Sequence, residues 1–222
     1  MFNNVLVCVD AFEHGLLDAD ELSAPTASML RVARSMRDSD GCRLTLVAVL
    51  PDGGDDELME DVRSRLEARA AAELDGCDVD VYVARGMPFI EIIRKVQRDG
   101  HDLVLVAARR HSLIRRSIVG STAVRLLRKC PCPVWVTPRR FAHGPKVVLS
   151  AAGFHGLTPL ILELSRRIVE VAGGDWHVVH CMEYPEEGAM RLRKVSAMRL
   201  AEYHAQAQKA AEPLDPATQR QI

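Results

Sequence analysis

Short apolar runs alternate along the chain with longer segments in which apolar residues recur at helical spacing. Val5 to Val9 is a continuous run rich in β-branched residues, the pattern of a strand buried on both faces of a parallel sheet. Leu44 to Leu50, Val79 to Val83, Leu103 to Val106 and Val134 to Val136 repeat that pattern. Between them lie Met29, Val32, Ala33 and Met36, then Leu58, Val62, Leu66, Ala70 and Leu74. Phe89, Ile92, Ile93 and Val96 follow, then Val124 and Leu127, and each group marks one face of an amphipathic helix. Parallel strands need crossover connections, and right-handed crossovers on both faces build an open, doubly wound α/β sheet, here of five strands. Ligands of such sheets bind beyond the carboxyl ends of the strands, where the winding reverses.

This pattern defines a first domain over residues 1–140, and in residues 141–222 it starts again. Lys146 to Ala152 aligns with Asn4 to Asp10, Pro159 to Val171 with the first helix, and Trp176 to Met182 with Leu44 to Leu50. The offset is about 140 residues, a weak internal repeat. Arg191 to Ala211 has no Gly or Pro and predicts the second helix of this partial unit, while strands three to five have no counterpart. Two strands and two helices cannot cover both faces of a parallel sheet. The half unit is therefore expected to pack on the first domain or on another chain, or else to be poorly ordered. Its open edge favours a homodimer or higher homo-oligomer and offers a place for a protein partner.

Composition narrows the function classes. The 222 residues are 48% hydrophobic and 27% charged, with 29 basic against 30 acidic side chains. A formal net charge of -1 gives no global basic field for nucleic acid. The longest apolar run, Leu103 to Ala108, falls far short of the ~18 to 20 residues of a membrane span. Met1 to Asp10 has no basic region and no long apolar stretch of the signal-peptide kind, so a cytoplasmic location is expected. Six cysteines make no dense disulfide framework, and Cys8 and Cys181 lie in apolar runs where a reduced thiol acts as a small hydrophobe.

Candidate chemistry is sparse. Cys130-Pro131-Cys132 offers two thiolates but no second paired cluster at zinc spacing, so no metal is expected. His177 and His180 fall on opposite faces of a strand and cannot chelate together. The basic residues of Arg191 to Ala211 are diluted by Glu202, and a solvated helix face explains them. Asp10-Ala11-Phe12-Glu13 after the first strand is not a glycine-rich dinucleotide turn, and neither a Walker loop nor a Gly-x-Ser-x-Gly elbow occurs. Without a nucleophile or base in a known frame, the chain is expected not to be an enzyme.

Several of these runs, taken in order, carry a resemblance. Val5 to Asp10, Val79 to Val83 with Gly86-Met87-Pro88, Asp102 to Val106, Gly120-Ser121-Thr122 and Pro131-Cys132-Pro133-Val134-Trp135-Val136 resemble the universal stress protein family in order and spacing, over about residues 1 to 138. With the half repeat from Lys146, the chain looks like the tandem type with an incomplete second unit. The resemblance implies a flavodoxin-like fold, dimers through the last strand and cytoplasmic stress-survival roles. In one subgroup it implies ATP binding.

The resemblance also implies a site. ATP-binding members carry a loop after the fourth strand with Gly, two residues, Gly, nine residues, then Gly and Ser or Thr. Ala107 and Arg110 stand at its first two glycine positions here, and only Gly120-Ser121 with Thr122 match. Asp10 matches the nucleotide-contacting aspartate and Val49 the adenine-side position. Arg109, Arg110, Arg115 and Arg116 offer phosphate contacts by charge, or else form a solvated basic loop. Phe12 to Ala24 adds Glu13, Asp18, Asp20 and Glu21, carboxylates that repel a triphosphate or pair with the arginines. In the second unit Ala152 replaces the aspartate and the phosphate loop has no counterpart. The expectation is a non-enzymatic regulator or protective binding module with a degenerate nucleotide site and no obligatory cofactor. The alternative is an ATP-binding protein with slow hydrolysis or self-phosphorylation, Ser121 or Thr122 contacting or accepting phosphate.

Overall fold

The computed structural model describes residues 2–10, 24–74, 79–108, 120–138, 145–153, 156–179 and 186–210. The chain divides into two compact units, Met1–Ala142 and His143–Ile222.

In the first unit β1 (Asn4–Cys8), β2 (Arg43–Leu50), β3 (Asp80–Arg85), β4 (Leu103–Ala107) and β5 (Val134–Thr137) form a parallel sheet in the order β3-β2-β1-β4-β5. Helices α1 (Ala24–Asp40), α2 (Asp56–Glu73), α3 (Pro88–Asp99) and α4 (Ser121–Lys129) connect the strands. The first apolar run is the central strand: Val5, Leu6 and Val7 are fully buried, paired with Leu44 to Leu46 on one side and Leu103 to Leu105 on the other. A strand covered by helices on both faces has no solvent side, which is why its sequence does not alternate. Leu6, Val47, Val104 and Val106 meet Ile92 and Val96 of α3 and Ala123 and Leu126 of α4 in one core cluster. β3 runs past the apolar stretch Val79 to Val83, because Ala84 and Arg85 go on pairing with Val49 and Leu50.

Local signals set the helix ends. Asp55 caps α2, accepting the Leu58 amide at 2.8 Å, and Pro88 opens α3 at a position where its missing N–H costs nothing. Between β3 and α3 the chain turns at Gly86, whose φ of 132° disfavours any side chain and whose amide donates to the Leu50 carbonyl at 2.9 Å.

The second unit pairs β6 (Val147–Ala151) with β7 (Asp175–Val179) in parallel through α5 (Thr158–Ala172). Ser150 is buried, donates to Ser165 Oγ at 2.6 Å and accepts the Trp176 indole N–H at 2.7 Å. Gly174 lets α5 return to the sheet: a β-carbon there would lie 2.6 Å from the Pro145 carbonyl oxygen. Val147, Leu149 and Val179 are exposed.

The single helix expected over Arg191 to Ala211 is instead two, α6 (Glu187–Leu192) and α7 (Ala197–Ala210). Lys194 adopts φ 53°, its amide donates to the Arg191 carbonyl, and Val195 donates to Met190. That is the Schellman pattern, built on lysine where glycine usually stands. Ser196 then starts α7, its hydroxyl accepting the Arg199 amide at 3.4 Å. Among the described residues no helix is long and apolar enough to cross a membrane.

Candidate functional site

β2 and β4 flank β1 on opposite sides, so the connections leaving β1 and β4 part at their carboxyl ends and open a cleft. Its volume is about 470 Å³. The described walls come from four places. Cys8, Val9 and Asp10 end β1, with Thr26 of α1 beside them. Val47, Val49, Pro51 and Asp52 come from β2 and its turn, and Gly86, Met87 and Pro88 from the β3–α3 turn. Val106 and Ala107 end β4, and Gly120 to Ala123 open α4.

Six of the seven residues singled out in the sequence thus lie on one cavity: Asp10, Val49, Ala107, Gly120, Ser121 and Thr122. The seventh, Arg110, lies outside the described residues. So do Arg109, Arg115 and Arg116, and the acidic Glu13, Asp18, Asp20 and Glu21. Thr26, Asp52 and Met87 were not among the sequence candidates. Their signal lay in position: two of them sit in turns that follow strands, at the end of the sheet where ligands bind.

The cleft is mostly apolar, with polar groups at its rim. Asp10 is half-buried and held near β2 by the Val9 amide, which donates to the Val47 carbonyl at 2.8 Å. Asp10 and Asp52 are the charged groups among the described lining residues. At the opposite rim Gly120 is the N-cap of α4 in an extended conformation, and among the described residues no side chain caps the helix there. The first amides of α4 therefore face the cleft without helical partners, a polarity that suits an anion or a carbonyl oxygen. Ala107 stands at the last pair of β4, bringing a methyl group where a glycine would leave bare backbone.

Cys130 and Cys132 are not among the residues that line this cleft. Cys130 and Cys132 bring their sulfurs to 3.6 Å. Among the described residues no group of three or more His, Cys, Asp or Glu side chains is placed to hold a metal ion. His177 is exposed on β7, and His180 and Cys181 lie outside the described residues. Cys8 has its thiol pushed up by burial, in keeping with a packing role.

Residues 1–138 match the family model described as universal stress protein family. Universal stress protein E of Escherichia coli K12 is 42% identical over 62 residues, which is 28% of this chain and 20% of that protein. The same-named protein of Photorhabdus laumondii is 37% identical over 62 residues, with the same coverage of 28% and 20%. The matched segment is thus about a fifth of the length of these curated relatives. Among solved structures, a putative universal stress protein from Pseudomonas aeruginosa UCBPP-PA14 aligns with a TM-score of 0.62 at 21% identity, over 91% of this chain and 70% of that one. A functionally unknown protein from Pseudomonas aeruginosa PAO1 aligns at 0.58 and 18% identity, over 96% and 71%. At these identities the two structures show the fold.

Proposed function

This chain belongs to the universal stress protein family, and we propose that it serves there as a non-enzymatic stress-response regulator or protective binding module. In this reading its cleft holds a nucleoside and gives a polyphosphate little support. The observation that carries the reading is the character of the cleft. Val9, Val47, Val49 and Val106 offer an apolar surface for a flat base, and Asp10 offers a carboxylate to ribose hydroxyls. A second carboxylate, Asp52, shares the cavity. Each carboxylate near a phosphate costs on the order of 1 kcal/mol at ~4 Å in water, and more where water is excluded. The methyl group of Ala107 further hinders close backbone approach to phosphate. The proposal includes a cytoplasmic homodimer or higher homo-oligomer, with the second unit available to a protein partner.

The uncapped start of α4 favours a second reading. Gly120, Ser121 and Thr122 there suit one phosphate, and an ATP-binding protein with slow hydrolysis or self-phosphorylation at Ser121 or Thr122 would use them. Calorimetric titration with adenosine, AMP and magnesium ATP separates the two, with molar mass followed by light scattering in the same samples. The first reading expects adenosine to bind at least as tightly as ATP, loss of that binding in Asp10→Ala, and no phosphate release. ATP bound tenfold or more tightly than adenosine, with phosphate released or transferred to the protein, would replace it with the second.

A further inference from the structure

Cys130 ends α4 and Cys132 precedes β5, each followed by a proline. A residue before proline is pushed into extended backbone, and Cys130 has φ -69° and ψ 134°. The Cys130 amide is fixed to the Leu126 carbonyl at 2.8 Å, and the Pro133 carbonyl accepts the Val104 amide at 3.0 Å. The segment is thus tied at both ends and stiffened by Pro131 and Pro133. Both side chains rest against the core cluster of Val104, Ala123 and Leu126 and are half-buried. Their sulfurs stand 3.6 Å apart, within an S–H···S hydrogen bond.

We propose that Cys130 and Cys132 form a peroxide-oxidisable dithiol that closes reversibly to a disulfide across Pro131. Nothing in this rests on the nucleotide reading. Either sulfur can donate in this hydrogen bond, and the one that accepts is the better thiolate; in the proposed state Cys132 donates. Accepting the Cys132 S–H stabilises a thiolate at Cys130 and brings its pKa down to about 7, whereas Cys132 is pushed up because its proton is held in that bond. Cys130 is the attacking thiolate and Cys132 the resolving thiol, the arrangement of a sensor cysteine with a partner beside it.

The Cys130 thiolate attacks one peroxide oxygen; the O–O bond breaks, hydroxide leaves, and Cys130 becomes a sulfenic acid. Cys132 Sγ then attacks Cys130 Sγ. The S–O bond breaks, and the departing hydroxyl takes the Cys132 proton away as water. Each thiol sulfur ends oxidised by one electron, and peroxide takes both. From 3.6 Å the sulfurs move about 1.5 Å to reach the ~2.05 Å of a disulfide. A thiol reductant reverses the step by exchange.

Trypsin releases both cysteines in one peptide, residues 130–139. The full-length reduced protein is treated at neutral pH with hydrogen peroxide, at a dose and time that oxidise free glutathione completely. It is then alkylated, digested without reductant and weighed by mass spectrometry. The expected peptide is lighter than its reduced form by two hydrogens, carries no alkyl group, and regains two after dithiothreitol. In Cys132→Ser a dimedone adduct is expected at Cys130; in Cys130→Ser, Cys132 is expected to stay alkylatable at the same dose. A doubly alkylated wild-type peptide, a disulfide between molecules, or irreversible sulfinic acid at Cys130 would overturn the proposal.

Discussion

His101 sits at the start of β4 with 5% of its surface exposed, its Nε2 within 3.2 Å of Thr45 Oγ1. Burial lowers its pKa; the charges of Asp99 and Asp102 and the backbone of Lys95 pull the other way without prevailing, and the Lys95 ammonium adds to the lowering. The unfolded chain takes up this proton near pH ~6.5 while the folded one resists it. Stability from this residue is therefore complete above that pH and lost as pH falls below it, by at most about 1.4 kcal/mol per unit. Urea denaturation at pH 7.5 and 5.0 is expected to show the loss, with a smaller difference in His101→Asn; an equal difference in that variant would contradict it. Gly86 makes the second case. Alanine there would carry φ 132° and place its β-carbon 3.2 Å from the Glu91 carboxylate. Gly86→Ala is expected to cost about 1 to 3 kcal/mol, read as a lower denaturation midpoint.

The strands and helices of the first unit were legible because burial on both faces leaves only apolar residues to choose from, as Val5 to Val9 and Leu103 to Val106 illustrate. Strand ends were less so, since Arg85 belongs to β3 through backbone pairing that its side chain does not announce. The break after Leu192 was illegible for a related reason: Lys194 takes the conformation for which glycine is the usual sign. Lys194→Gly is therefore expected to stabilise the second unit by about 1 kcal/mol, by removing a left-handed side-chain penalty. Lys194→Ala is expected to do nothing, and equal midpoints for all three proteins would refute the argument. At the site, Asp10 and Gly120-Ser121-Thr122 were legible through family spacing. Thr26 and Asp52 were not, because only the folded sheet brings the first turn of α1 and the turn after β2 to the same end.

The two units differ in what they bury. Among the described residues, the fully covered apolar side chains all belong to the first unit, while the second covers Ser150 and Ser165. Hydrogen exchange is expected to be slowest at Val5 to Val7 and Leu103 to Leu105, through global unfolding, and orders of magnitude faster in β6 and β7. Equal protection would mean that the second unit shares the stability of the first. Helix α4 is nine residues long, about 13 Å, and joins the cleft at Ser121 to the dithiol at Cys130. Whatever factor by which disulfide closure alters cleft affinity, occupancy of the cleft must alter the dithiol equilibrium by the same factor. A tenfold change corresponds to about 30 mV. Where that factor differs from one, the reduction potential of the Cys130–Cys132 couple becomes a gauge of ligand in the cleft, readable without knowing what the ligand is.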